Sequence, residues 1–511
     1  MFKKLFVIHP FLFAIFPIAS LYSANIHEAS LADTLLPMAI MLVLTLLLLS
    51  LSMLILRDKN KAAIIVSFFL VLFFSFGHVY DKISGWQIGT FVIGRHRYLL
   101  PVWCMLLAFC AYFIIRTHRK LHNLTSILNV IASCLVVIPL ISIGIYEVKT
   151  RPIWKQEYKT ITENEEIDIA LGNPDVLRDI YYIILDGYAS SSTLQEVFNY
   201  DNHEFTDYLT EKDFYVAFES RCNFASTFLS LLSSLNMKYI DYLGKKISLK
   251  SRDRRVAIEM VRNNKVMNLL KSKGYMFVHF QTRADATEHN KYADLEFKYG
   301  YWNTEYWVVL MRTTMARPFL APQVASEHRE RTLGTFSKLA ELYKINGPKF
   351  ILAHIICPHP PYIFGPNGEK AVRPYHKTIS EEKELYVNQL IFVNKKIKEL
   401  VDEILSKSEV APIIIFQADH GSYVLLGETT NDTWDHPTDE MLRERMRILN
   451  AYYLPDGANS LLYKSITPVN TFRLIFNYYF GANFELLDDR SYFSSYKYPY
   501  KYIDVTDKVD Y

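Results

Sequence analysis

The sequence predicts a two-part α/β protein: five membrane-crossing helices, then a soluble domain built on a largely parallel sheet with helices on both faces. Three observations predict it. Five apolar runs occupy about the first 150 residues. Beyond residue 178, short runs rich in β-branched and aromatic residues alternate with helix-period segments. Several of these short runs end in Asp or His, where a sheet of this kind places its ligands. The boundaries that follow are a membrane anchor over 1–148, a linker over 149–178 and an extracytoplasmic domain over 179–511.

The apolar runs are Leu5 to Ser23, Leu35 to Leu56, Ala62 to Val79, Leu99 to Ile115 and Ile127 to Tyr146, most of them close to the roughly 20 residues that cross hydrocarbon. The first carries Pro10 and Pro17, lacks a small-residue cleavage site and is followed at once by further spans, so it reads as a retained helix rather than a signal peptide. With a cytoplasmic N-terminus, Lys3, Lys4, Arg57, Lys59, Lys61, Arg116, Arg119 and Lys120 all fall on one side, and the opposite loops carry only Lys82, Arg95 and Arg97. Basic residues near span ends stay in the cytoplasm. Five crossings therefore put everything after about Glu147 outside it. His9, His78 and Arg95 near the span ends suit interfacial anchoring, with a lipid-head-group site as the alternative.

Charge excludes one class of function. With 56 basic against 53 acidic residues the chain carries +3, too little field to hold a nucleic acid. Few charged residues lie within the spans, which argues against transport through them. Of five cysteines, Cys104, Cys110 and Cys134 sit in apolar runs; only Cys222 and Cys357 fall in the soluble part, and they read as unpaired small core residues.

Tyr146 to Arg178 is polar and interrupted by Pro152 and Pro174, as suits a linker or an interfacial helix. The strand candidates beyond it are IYYIILDGY from Ile180, YMFVHF from Tyr275, KFILAHII from Lys349, APIIIFQADHG from Ala411 and RILNAYYLP from Arg447. Helical patterns fill Arg254 to Lys273, His328 to Tyr343, Ser380 to Ser406 and Pro468 to Tyr479, and Tyr292 to Gln323 reads as an aromatic-rich loop. In such a sheet Asp186, His354 with His359, and Asp419 with His420 converge on one rim.

A carboxylate at a buried strand end is costly unless paired or metal-bound, so Asp186 in LDGY and Asp419–His420 in ADHGS propose a hard-to-borderline metal site. Turn-forming or capping Asp is the plainer role for either acid alone. Between them, SRCNFASTFLSLLSSLNM from Ser220 leads small polar residues into a helix. A hydroxyl there sits at aligned amides and the positive dipole end, which favour an attacking oxyanion and a phosphate together. Thr227 and Ser226 are the candidates, with N-capping as the alternative role.

The order LDGY, a Ser/Thr-led helix, PHPPY and ADHG resembles the alkaline-phosphatase and sulfatase superfamily, and with the anchor it looks like the phosphoethanolamine and phosphoglycerol transferases of the bacterial envelope. The likeness covers most of Ile180 to about Tyr492. It implies five N-terminal transmembrane helices followed by an alkaline-phosphatase-like α/β/α sandwich domain, in the cytoplasmic membrane with the catalytic domain outside. It implies Thr227 as nucleophile, with Ser226 the alternative because the loop differs in length, and one divalent metal ion, Zn or Mn, on Asp186, Asp419, His420 and the Thr227 hydroxyl. His359 matches a phosphate-contacting histidine, His354 assists or binds a second metal, Arg221 and Asn223 are placed to hold non-bridging oxygens, and His436 is a weaker candidate for the same rim. Cys222 is followed by NFAST rather than the CxPxR that formylglycine needs. The implied reaction is metal-dependent transfer or hydrolysis of a phosphoryl-type ester, from a phospholipid head group to an envelope glycan or lipid. The alternatives are a catalytically degenerate envelope binding module and a sulfuric ester hydrolase.

Overall fold

Long apolar runs have one economical way to satisfy their backbone away from water, the helix. The computed structural model describes residues 6–88, 91–150, 156, 158, 159, 171–300, 304–372, 378–427 and 432–511. It divides into two units, Met1–Gln156 with Trp302–Ser326, and Glu157–Tyr301 with Glu327–Tyr511. Most of the linker expected at 149–178 lies outside the described residues.

In the first unit the runs become α1 (His9–Ala24), α2 (Ala32–Leu56), α3 (Lys59–Ile83), α4 (His96–Arg116) and α5 (His122–Ile145). Four of them, α2 to α5, are long and apolar enough to cross a membrane. The fifth, α1, has 16 residues, about 24 Å at 1.5 Å per residue against roughly 30 Å of hydrocarbon. By length and composition four helices qualify as spans, and the fifth crossing expected from the sequence is not confirmed. Asp58 caps α3 by accepting from the amides of Asn60 and Lys61. Leucines such as Leu35 and Leu54 face outwards, whereas His9, Thr45 and Ser67 are buried, and His9 Nδ1 lies 2.6 Å from Ser67 Oγ across α1 and α3.

The aromatic stretch read as a loop is partly helical. Thr304 caps a helix over Glu305–Thr313, and the next helix, Arg317–Leu339, begins inside the same stretch. The segment from Trp302 to Ser326 packs with the first unit: Tyr306 donates to the Ile18 carbonyl at 2.8 Å, and the Met315 amide donates to the Phe73 carbonyl at 2.9 Å. Gly77 permits this approach, because a Cβ there would lie 2.0 Å from the Arg312 carbonyl oxygen.

The second unit is built on a seven-stranded sheet. Its strands are β1 (Ile180–Leu185), β2 (Tyr215–Val216), β3 (Met276–Phe280), β4 (Leu295–Phe297), β5 (Lys349–Ile355), β6 (Ile413–Gln417) and β7 (Asn450–Tyr453), in the order β2-β7-β6-β1-β5-β3-β4. Pairing is parallel from β6 through β4, but β7 runs antiparallel to β6 and β2 antiparallel to β7, so RILNAYYLP does not continue the parallel set. The short strands β2 and β4 had no sequence signal.

Every residue of β1 is buried, as a central strand covered on both faces requires. Tyr181, Ile183 and Leu185 share one core with Leu390, Val393 and Ile397 of α7 (Ile379–Lys407; α6 is Thr227–Asn236). Tyr182, pointing the other way, meets Phe472 of α9 (Pro468–Phe480; α8 is Asp439–Met446) edge-on at 5.0 Å and donates to Ser234 of α6 at 3.1 Å. Alternate residues of one strand thus serve two helical layers, the α/β/α sandwich. The helical pattern Arg254 to Lys273 resolves into two helices, Arg255–Arg262 and Lys265–Ser272, with Asn264 capping the second. Cys222 and Cys357 are both buried free thiols.

Candidate metal centre

Three neighbouring strands, β6, β1 and β5, deliver the chemistry-bearing side chains to one end of the sheet. Ile184 pairs with both His354 and Gln417, so Asp186, just beyond β1, falls between His354 near the end of β5 and Asp419 just beyond β6. Asp186, His354 and Asp419 offer ligand atoms within 4.8 Å of one another, all buried. His420 joins them: its Nε2 lies 3.2 Å from Asp419 Oδ2, 3.6 Å from Asp186 Oδ1 and 3.1 Å from Thr227 Oγ1. His354 Nε2 stands 3.3 Å from Asp186 Oδ2.

The backbone around these side chains is held from outside. The carboxylate of Asp419 accepts from the amides of Gly187 and His420 through Oδ1, leaving Oδ2 facing the cluster. Gly421 follows because nothing larger fits, a Cβ there lying 2.1 Å from the Glu444 carbonyl oxygen. From α7, Tyr386 donates to the Gly187 carbonyl at 2.9 Å, and fully buried Gln389 donates to the carbonyls of Pro358 and His359 while accepting from the amides of Ile363 and Phe364. His359 lies between two cis peptide bonds, Cys357–Pro358 and Pro360–Pro361.

Charge and protons decide what the cluster can hold. His420 is kept neutral by burial and by the Arg445 cation, which push its pKa well below the usual value. Its Nδ1 donates to the Gly421 carbonyl at 2.9 Å, so Nε2 presents a lone pair to two carboxylates. Burial opposes ionisation of Asp186, but the imidazoles of His359, His354 and His420 outweigh it and hold its carboxyl low. Burial and the Asp186 charge push Asp419 the other way. Among the described residues Asp186 Oδ1 and Asp419 Oδ2 are buried acceptors without hydrogen-bond partners; burial opposes a charge on His354, but the Asp186 carboxylate outweighs it and raises its pKa. Acceptor atoms that crowd together without donors are unfavourable unless a cation lies among them. The residues present therefore fit a divalent metal with mixed oxygen and nitrogen ligands.

No protein-family model matches the sequence, and no curated protein matches it. Among solved structures the chain is similar to the C-terminal periplasmic domain of EcEptC from Escherichia coli, at 14% identity over 66% of this chain and 95% of that one, with TM-score 0.44. It is similar to the integral membrane lipooligosaccharide phosphoethanolamine transferase A from Neisseria meningitidis, at 10% identity over 90% of this chain and 94% of that one, with TM-score 0.40. A protein in the alkaline phosphatase superfamily from Vibrio parahaemolyticus is similar at 11% identity over 67% of this chain and 81% of that one, with TM-score 0.39. These carry the names of the group that the motifs resemble.

The remaining sequence candidates divide. Thr227 is the first residue of α6, half-buried, with its hydroxyl on His420; Ser226 is the N-cap residue but its side chain caps nothing, and its buried Oγ has no hydrogen-bond partner among the described residues. His354, expected to assist or to bind a second metal, sits within the ligand group itself. His359 is half-buried with its ring 6.1 Å from that of His420, and its Nδ1 donates to the Pro360 carbonyl. His436 is exposed, its amide bonded to the Asp432 carbonyl.

Arg221 and Asn223, expected to hold non-bridging oxygens, are engaged in contacts outside the ligand group. Arg221 pairs with Asp510 at 2.6 Å, and Asn223 bonds the Arg490 carbonyl, the Tyr239 hydroxyl and the Val469 amide. The supporting residues Tyr386 and Gln389 escaped the sequence reading. A signal was there: Gln389 stands at core spacing among Leu385, Phe392 and Val393, and a polar residue on a buried helix face marks a network.

Proposed function

We propose that this chain is a membrane-bound, metal-dependent phosphotransferase that moves a phosphoryl-type group from a phospholipid head group to a glycan or lipid acceptor, with Thr227 as nucleophile. The observation that carries this reading is the Thr227 hydroxyl at the N-terminus of α6, 3.1 Å from His420 Nε2 beside two buried carboxylates. Asp186, His354, Asp419, His420 and the Thr227 oxygen are the groups that would hold one divalent ion, Zn or Mn. When bound, that ion lowers the pKa of the hydroxyl and offsets charge on the transferring group.

Thr227 Oγ attacks phosphorus as the bond to the diacylglycerol oxygen breaks. The hydroxyl proton passes to the Asp419 carboxylate, since the lone pair of His420 Nε2 is taken up in holding the ion. With Nδ1 of His359 committed to a backbone carbonyl, its Nε2 is the atom that carries a proton to the departing lipid oxygen. The amides at the start of α6 favour the phosphoryl oxygens. An acceptor hydroxyl, losing its proton to His359, then attacks phosphorus, and Thr227 Oγ leaves and is reprotonated. With α1 counted as a crossing, the five helices put this chemistry outside the cytoplasm, beside the lipid head groups of a bacterial cytoplasmic membrane.

The test is to incubate the purified full chain with phospholipid labelled in its head-group phosphate and to map the label. Label is expected on the peptide containing Thr227 and absent from Thr227→Ala; equal labelling of Thr227→Ala overturns the assignment. Release of labelled head group to water without an acceptor would make the enzyme a hydrolase, and turnover of a sulfate ester at the same site would make it a sulfuric ester hydrolase.

A further inference from the structure

Arg445, in the last turn of α8, is fully buried, and among the described residues no carboxylate forms an ion pair with it. The adjacent Glu444 is used elsewhere, accepting from the Ser422 hydroxyl and from the amides of Val424 and Leu425. A desolvated guanidinium whose neighbouring carboxylates, Asp419 and Glu444, act on it only from beyond ion-pair distance is costly and needs a reason. Its hydrogen bonds supply one. Nε donates to the Ala225 carbonyl at 2.8 Å, two residues before Thr227, and Nη1 donates to the Gly421 carbonyl at 3.3 Å, the same oxygen that accepts from His420 Nδ1.

The main chain of α8 grips the same two loops. The Gly421 amide donates to the Arg445 carbonyl at 2.7 Å, and the Cys222 amide donates to the Met446 carbonyl at 2.8 Å. The planar fork is itself held in place, lying 5.3 Å from the Trp434 ring centroid and 5.7 Å from that of Tyr423. One rigid cation thus spans the loop that ends in the nucleophile and the loop that carries Asp419 and His420.

We infer that Arg445 is a positioning residue that sets the distance from the Thr227 hydroxyl to His420 by bridging the carbonyls of Ala225 and Gly421. The inference rests on the phosphotransferase reading. It requires the fork geometry as well as the charge: a lysine is a point charge and does not place two N–H groups at fixed angles. Misplacement of a reacting group by about 1 Å costs on the order of 10²-fold in rate.

The experiment measures the single-turnover rate of Thr227 labelling by head-group-labelled phospholipid, at a series of lipid concentrations, for wild type, Arg445→Lys, Arg445→Gln and Arg445→Met in the full chain, with melting temperature and bound metal recorded for each. The expected result for Arg445→Lys is a maximal rate lower by about 10- to 100-fold, with the half-saturating lipid concentration, the metal content and the melting temperature unchanged. Labelling of Arg445→Lys within twofold of wild type overturns the inference and leaves the enzyme reading standing. A rise in half-saturation at an unchanged maximal rate overturns it in favour of a binding role, and losses that track melting temperature across the three variants overturn it in favour of a structural one. Wild-type protein that never labels Thr227 removes the enzyme reading itself, and the inference with it.

Discussion

The two units bury opposite things. In the first, Leu35 and Leu54 stand 66% and 76% exposed while His9, Thr45 and Ser67 are enclosed; in the second, the apolar strands are enclosed and the exposed surface is mainly polar. One set of folding rules gives both arrangements once the solvent differs. Outward leucines are stable against lipid, where polar groups seek partners among neighbouring helices. In water the same leucines would drive association. The contrast also locates the costly groups. The first unit spreads its few buried polar groups along helices, whereas the second concentrates acids and imidazoles at three strand ends.

The sharpest way to break this contrast is to remove the concentrated charge. Asp186→Asn and Asp419→Asn are each expected to lower bound metal from about one equivalent towards zero, read by elemental analysis, and to reduce Thr227 labelling by at least about 10²–10³-fold. Packing comes next. Ile183→Ala in β1 leaves a cavity in a covered strand and is expected to cost about 2–5 kcal/mol in chemical denaturation, whereas Leu54→Ala on an outward face of α2 should stay within about 0.5 kcal/mol. Equal costs at the two positions would mean that Leu54 is not lipid-facing.

A smaller effect depends on pH. Burial alone would raise the Glu296 carboxyl, but donors on His279, Asn290, Gln281 and His289 outweigh it and hold its pKa at about 2. A depressed folded-state pKa contributes stability that is present above the ordinary value of 4.5 and disappears as pH falls towards 2. Glu296→Gln is therefore expected to be less stable than wild type near neutral pH and to lose less on acidification through that window, as melting temperature against pH would reveal. Another small change is expected for Ser67→Ala, which removes one hydrogen bond to His9 inside the helices and should cost about 0.6 kcal/mol, measured by unfolding in mixed micelles.

Much of this was legible in the residues. Asp186 and Asp419 announced themselves because apolar runs that end in Asp-Gly or Asp-His-Gly place an acid where burial is expensive. His354 was visible as a strand-end histidine, but its membership in the ligand group depends on the pairing of β1 with β5, which no local pattern gives. The pairing of Arg221 with Asp510 was not legible because the two lie 289 residues apart, and side-chain direction in a loop is not written locally. Arg445 has no sequence signal, since EMLRERMR carries no mark that two of its arginines, Arg445 and Arg447, are enclosed. The antiparallel β7 escaped because a buried strand reads the same in either direction.

The return of Trp302–Ser326 to the first unit sets a rule for dissecting the protein. A fragment beginning at residue 179 would still carry Tyr306 and Leu310, stripped of the core they share with Phe13, Ile18 and Phe74. Such a fragment is expected to self-associate in water until that return segment is cut out as well.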